Sequence, residues 1–190
     1  EEIETEVQAS LWETGAVDVK IAEDPEDREK LWSGRKTAFG SFGAIAPNYY
    51  LVDGVVPRTK LVEVLRLVGD LSERYGIVIA NVFHAGDGNL HPCMLFDERE
   101  PGISDKVIAA ASELMEYCVA VGGTLSGEHG IGLEKKEFMP LVFNPDDMNA
   151  MKQARNAFAP KNNLNPGKIF PDGSAPYLSP QKDTSPGLYI

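Results

Sequence analysis

Ile77-Val-Ile-Ala-Asn-Val-Phe-His-Ala-Gly-Asp-Gly-Asn-Leu-His-Pro-Cys-Met-Leu-Phe96 is the stretch whose reading decides the fold. One apolar run, residues 77–83, leads into His84, and a second, residues 92–96, follows His91. Asp87-Gly88 between them is a favoured tight-turn pair, so the stretch reads as a β-hairpin with both histidines flanking the turn. The chain holds only 3 histidines. The third, His129, lies in Gly122-Gly-Thr-Leu-Ser-Gly-Glu-His-Gly-Ile-Gly132, a second glycine-rich stretch. Every imidazole is thus placed where backbone bends and approaches closely. If Glu128 and His129 come from a neighbouring strand end, two imidazoles and a carboxylate with open positions would suit Zn, Mn or Fe(II). The plain alternative is a set of loop histidines making ordinary hydrogen bonds; a His-x6-His spacing is no standard metal pair, but such loops carry sites more often than cores do.

Outward from the hairpin, Thr59 or Arg58 opens an amphipathic helix to about Tyr75, with Leu61, Val64, Leu65, Val68 and Leu71 inward and Gly76 as its stop. Residues 101–121 form a second long helix carrying Val107, Ile108, Ala111, Leu114, Met115 and Cys118. Residues 49–56 are extended, and residues 124–126 are a short strand. Further upstream, residues 2–13 are an amphipathic helix, residues 16–22 alternate Val17, Val19 and Ile21 as a strand, and Asp24-Pro25 starts a helix to about Phe39. Downstream, residues 131–138 are a short helix, Asn144-Pro145 caps another to about Phe158, and the chain is irregular from Pro160. The order strand, helix, hairpin, helix, strand predicts an α+β fold. It is the ferredoxin-like split β-α-β, an antiparallel sheet with helices packed on one side, plus C-terminal helices. Residues 1–170 make one domain, and residues 171–190 an irregular tail.

Apolar residues are 43% and charged residues 25% of the 190, an ordinary globular balance. No apolar run reaches the roughly 20 residues that span a bilayer. The net charge of −11 argues against nucleic acid and against anionic membrane surfaces. Cys93 and Cys118 fall in an apolar strand and an apolar helix, which suits buried thiols and a reducing compartment rather than a disulfide. The chain opens on Glu1 with no leader-like segment, and is expected to be a piece of a longer protein.

His84-Ala-Gly-Asp-Gly-Asn-Leu-His91 and Ser126-Gly-Glu-His-Gly-Ile-Gly132 resemble the two signature motifs of the C-terminal domain of FAD-linked oxidases, the flavin D-2-hydroxy-acid dehydrogenases. Leu31-Trp-Ser-Gly-Arg-Lys36, Tyr49-Tyr-Leu-Val-Asp-Gly-Val-Val-Pro57 and Leu164-Asn-Pro-Gly-Lys-Ile169 agree with it, in the same order, so the resemblance covers residues 12–170. Within the family the look is nearest to the flavin-subunit branch of bacterial glycolate oxidases. The resemblance implies oxidation of glycolate or D-lactate to the 2-oxo acid, with hydride passing to FAD on a domain upstream of this chain. It implies that His84, His91 and Glu128 are metal ligands for Zn, Mn or Fe(II). His129 is then the base that takes the hydroxyl proton, Arg35 the clamp on the substrate carboxylate, and Asn89 a polar substrate contact. From the residues alone, Arg35 reads equally as a solvated helix arginine, and Asn89 as a left-handed turn residue. Asp87 either orients a histidine or only forms the turn. Some relatives acting on larger diacids place a lysine in the strand at 49–57; none is here, which favours a small monoacid.

By the same resemblance the partners are the 2-hydroxy acid, the protein's own FAD-binding domain and an iron-sulfur subunit, with a homodimer as the expected self-association. The location implied is the cytoplasm or the inner face of the cell membrane. By itself the chain is expected to be colourless and inactive. Two other classes compete: a metal-binding or assembly module without turnover, and a zinc hydrolase with Glu128 as base. The second lacks the His-Glu helix pair of metalloproteases.

Overall fold

The structure, a computed structural model, describes residues 2–174. Two compact units divide the chain, residues 1–40 and a second beginning at Ser41. In the first, α1 spans Glu2–Glu13 and α2 spans Pro25–Phe42, so the last turn of α2 passes into the second unit. Asp24 caps α2 as its sequence requires: Oδ1 accepts from Asp27 N at 2.8 Å, and Pro25 takes the first helical position. The helix continues through Gly40 to Phe42, past the expected end at Phe39. Residues 16–22 are not the strand that their alternation suggests. A strand needs a ladder partner, no described segment pairs with this one, and Val17 is 97% exposed.

The second unit holds the fold expected from the hairpin. In chain order it contains β1 (Asn48–Leu51), β2 (Gly54–Val55), α3 (Leu61–Tyr75), β3 (Val78–Asn81), β4 (Asn89–Leu90), β5 (Pro92–Phe96), α4 (Ile103–Ala120) and α5 (Pro145–Phe158). β3 and β5 pair antiparallel, Val78 opposite Leu95 and Asn81 opposite Pro92, and β1 lies on the other side of β5. The sheet order is β1-β5-β3, all antiparallel. This is the order of a split β-α-β unit with its fourth strand reduced to one bridge, Val55 opposite Thr124.

β5 is the inner strand and is buried along its whole length. Its side chains alternate between two clusters, Met94 and Phe96 in the main core and Cys93 and Leu95 against Phe42. α3 and α4 supply the main core with Val64, Val68 and Leu71, and with Val107, Ala111, Leu114, Met115 and Cys118. Val64, Val68 and Leu71 recur at helical spacing, and burying side chains of this size contributes about 1.5–3 kcal/mol each. Gly76, at φ 65°, ends α3 in the left-handed conformation.

Other boundaries also differ from the expectation, as at α4, which runs Ile103–Ala120 rather than over 101–121. The extended run 49–56 breaks into β1 and β2, which pair with different partners, because Val52 and Asp53 are both buried and cannot alternate. The short helix placed at residues 131–138 is a turn followed by a 3-10 helix at Lys136–Leu141, where Pro140 has no N–H to donate. α3 is preceded by a 3-10 turn at Arg58–Lys60. α5 is capped as expected: Asn144 accepts from Asp146 N and Asp147 N, and Asp147 answers the Asn144 N–H. Cys93 and Cys118 are free and buried, not disulfide-bonded. Residues 171–174 carry no helix or strand, and the rest of the expected tail lies outside the described residues.

Candidate metal centre and active site

The hairpin delivers two of the histidines. His84 N donates to Asn89 O at 2.9 Å and Asp87 N to His84 O at 3.0 Å, closing a four-residue loop over residues 85–88. Gly88 turns at φ 72°, and a Cβ there would sit 2.1 Å from Val56 O, so only glycine fits. Asn89 is not a turn residue. It belongs to β4, opposite Val55, and Gly88 takes the left-handed position instead. Asp87 is exposed and serves the turn through its N–H; its carboxylate makes no hydrogen bond or ion pair among the described residues.

The second glycine-rich stretch folds over β4. Gly127 lies so close to Asn89 that a Cβ would meet its carboxamide at 2.5–2.7 Å. The backbone here brings Glu128 and His129 onto the histidine pair. Glu128 Oε1 stands 2.9 Å from His91 Nε2, 3.4 Å from His129 Nε2 and 3.9 Å from His84 Nε2. The His91 ring stacks on His129, with centroids 4.9 Å apart and planes 3° from parallel, and meets His84 edge-on at 5.4 Å.

His91 is the buried member of the cluster, with a side chain 3% exposed, against 43% for His84, 42% for His129 and 50% for Glu128. The short contact from its Nε2 to Glu128 is out of line, so neither ring nitrogen makes a hydrogen bond. The buried Asn89 Oδ1 is likewise unpartnered. Such groups are costly unless something pairs them. Burial first, and then neighbouring His129, hold the His91 pKa below its ordinary value, which keeps the ring neutral. A neutral imidazole with a free nitrogen is what a metal requires.

Two sets of donor atoms converge within 4.8 Å, His84 with His91 and Glu128, and Asp53 with His91 and His129. The second is already engaged. Asp53 is fully buried and accepts from Ser126 Oγ at 2.6 Å, Lys135 Nζ at 2.8 Å and His129 N at 3.0 Å. Burial alone would raise its pKa, but the bonds from Lys135, Ser126 and His129 outweigh it and hold the carboxyl well below the usual carboxylate range. The first set has no such partners and fits a divalent ion through two imidazoles and a half-exposed carboxylate. The geometry thus brings together His84, His91, Glu128, His129 and Asn89, all named from the sequence. Arg35 lies on α2 in the first unit. Asp53, Ser126 and Lys135 were not singled out. The signal that could have found Asp53 is a carboxylate inside an otherwise apolar extended run.

Gly88 and Gly127 are packed against the chain's own atoms, whereas Gly86, Gly130 and Gly132 face open space. Among the described residues no helix is long and apolar enough to cross a membrane.

Residues 1–169 match the family of FAD linked oxidases, C-terminal domain. Glycolate oxidase subunit GlcD of Escherichia coli K12 is 47% identical over 161 residues, 85% of this chain and 32% of that protein. The subunit of the same name from Bacillus subtilis is 34% identical over 164 residues, covering 86% of this chain and 35% of the relative. D-lactate dehydrogenase of Archaeoglobus fulgidus is 36% identical over 155 residues, 82% of this chain and 34% of its own length. The chain therefore spans about a third of the length of the curated relatives it matches.

Proposed function

The chain belongs to the FAD-linked oxidases, as their C-terminal domain, and from that premise we propose that it is the substrate- and metal-binding part of a flavin-dependent 2-hydroxy-acid dehydrogenase. Glycolate or D-lactate is the substrate class, and the 2-oxo acid the product. The observation that carries this reading is the convergence of His84, His91, Glu128 and His129 on one point, with both nitrogens of buried His91 unpartnered.

Oxidation of a 2-hydroxy acid removes the hydroxyl proton and a hydride from the adjacent carbon. No side chain accepts hydride, so a cofactor must; in this family that cofactor is FAD, held in this reading by the rest of the full-length protein. His84, His91 and Glu128 would hold a divalent ion, Zn, Mn or Fe(II), whose positive charge makes a nearby hydroxyl more acidic. His129 is the base. Its Nε2 faces the same point as Glu128 Oε1, within reach of a hydroxyl presented there, and takes the proton on that nitrogen. Asn89 offers its unpartnered Oδ1 to a hydroxyl donor of the substrate. Arg35 is the carboxylate clamp, its planar guanidinium suited to a bidentate grip. The absence of lysine from Tyr49–Pro57 supports a small monoacid over a larger diacid. This reading places the protein in the cytoplasm or at the inner face of the cell membrane, alongside an iron-sulfur subunit, and as a homodimer. The free, buried cysteines are consistent with a reducing compartment.

The test uses the full-length flavoprotein. Elemental analysis should find one divalent ion lost on His84→Ala or His91→Ala, and a dye-reduction assay should show turnover of glycolate or D-lactate. A protein that binds as much metal after both substitutions, or oxidises neither acid, sinks the reading.

A further inference from the structure

Asp53 lies one step behind the cluster and binds the backbone of two of its members. It is 0% exposed and sits in the break between β1 and β2. Its carboxylate accepts from Ser126 Oγ at 2.6 Å, from Gly127 N at 3.2 Å to each oxygen, from Glu128 N at 3.4 Å and from His129 N at 3.0 Å. Three consecutive backbone N–H groups aim at one anion, and two of them belong to Glu128 and His129 themselves. Such a nest fixes the backbone of both residues at once. Ser126 Oγ also accepts from Gly130 N at 2.8 Å, which closes the loop on the far side of His129.

The same carboxylate faces His91. Oδ1 is 3.9 Å from His91 Nδ1, beyond hydrogen-bond reach. Lys135 Nζ, on a residue only 3% exposed, meets Asp53 Oδ2 at 2.8 Å and balances its charge. A buried ion pair is not needed for stability, since apolar residues of similar volume often do as well. Its donors are the reason for this one: they are the peptide groups that carry the site.

We propose that Asp53, charge-balanced by Lys135, is the positioning residue of this centre, setting Glu128 and His129 through their backbone. The inference rests on the metal-binding reading above. Asp53 touches neither substrate nor ion, so its removal should loosen the centre without emptying the fold.

Three variants of the full-length protein decide it: Asp53→Asn, Asp53→Asn with Lys135→Met, and Ser126→Ala. In Asp53→Asn the affinity for Zn²⁺ or Mn²⁺ and kcat should both fall by the roughly 10–100-fold seen when an outer-shell partner is lost. The amides of 127–129 should exchange faster than the global stability change accounts for. The double variant removes the uncompensated lysine and should regain melting temperature, but not metal affinity or loop protection; a merely structural ion pair would regain all three. If both buried variants fail to fold, Ser126→Ala remains, removing one donor from a half-buried loop, and should weaken metal binding and loop protection in the same direction. Parent-like amide exchange and parent-like metal affinity in any folded variant overturn the proposal. A parent that binds no metal and oxidises no hydroxy acid defeats the functional reading instead, and amide exchange in the metal-free protein then still decides the role of Asp53.

Discussion

Replacing His91 by Leu should leave the metal-free protein about as stable as the parent and abolish its response to metal. The His91 side chain is 3% exposed, and both ring nitrogens lack hydrogen-bond partners. An unsatisfied buried polar group costs about 1–3 kcal/mol. Leu removes that cost at similar volume. It also loses the stacking on His129 at 4.9 Å and the edge contact with His84 at 5.4 Å. Aromatic pairs of this kind contribute about 0.5–1.5 kcal/mol. Losing both contacts costs about 1–3 kcal/mol against the roughly 1–3 kcal/mol removed, so the metal-free variant lies within about 2 kcal/mol of the parent. With free metal at a hundred times its dissociation constant, the parent gains about 2.7 kcal/mol and the variant nothing. For a chain of this size that is a rise of roughly 5–11 °C in melting temperature, seen in the parent alone.

The assay is thermal unfolding of both proteins in chelator and in excess Zn²⁺ or Mn²⁺. A variant more than about 2 kcal/mol less stable than the parent in chelator would mean that the His91 nitrogens are paired in solution, and that the argument from their orphaned state is wrong. Equal stabilisation of parent and variant by metal would mean that the ion binds elsewhere.

Other outcomes follow from the same geometry. In the full-length flavoprotein, His129→Ala should lower turnover by roughly 10²–10⁴-fold while metal content, measured by elemental analysis, stays at the parent level; equal loss of both would make His129 a ligand. Gly127→Ala places a Cβ 2.5–2.7 Å from the Asn89 carboxamide and should cost about 1–3 kcal/mol in urea unfolding, with Asn89 pushed off its position and KM raised. Burial pushes the Cys93 and Cys118 thiols up to about 12, so neither should react with a thiol reagent at pH 8 until the protein is unfolded.

The hairpin and its histidines were legible because two signals coincide there: apolar runs that need a partner strand, and glycines that only a tight loop uses. The two flanking helices were legible from their period. What sequence could not supply was partnership across distance. Residues 16–22 alternate as a strand should, yet no described segment pairs with them. Residues 49–56 read as one strand because nothing local shows that Asp53 must turn inward to meet an amide nest at residues 127–129. Lys135 is one of two adjacent lysines, and its burial beside Asp53 depends on a contact 82 positions away in the chain. The proposed ligands were visible because their own neighbours in sequence mark them. Asp53 and Lys135 behind them were not, because their contacts are elsewhere in the chain.

The two acids of the centre divide the electrostatic task, and the division has a consequence that changes sign with the ion. The Asp53 charge is cancelled by Lys135 at 2.8 Å, which leaves Glu128 without a cationic partner beside His91, which burial keeps neutral. Without an ion the site is net negative, in a chain of net charge −11, and should repel a hydroxy-acid anion. Glu128→Gln removes that charge. Because Glu128 is 50% exposed, a water-like interaction of about 1 kcal/mol at 4 Å is the appropriate scale, roughly a fivefold effect on binding. In chelator, Glu128→Gln should therefore bind glycolate more tightly than the parent does. In excess metal the order should reverse, because the variant has lost a charged ligand and holds the ion poorly. Calorimetric titration with glycolate, each protein with and without metal, reads all four affinities. If the parent binds the anion better under both conditions, Glu128 is a direct substrate contact; if the variant does, Glu128 is not a ligand.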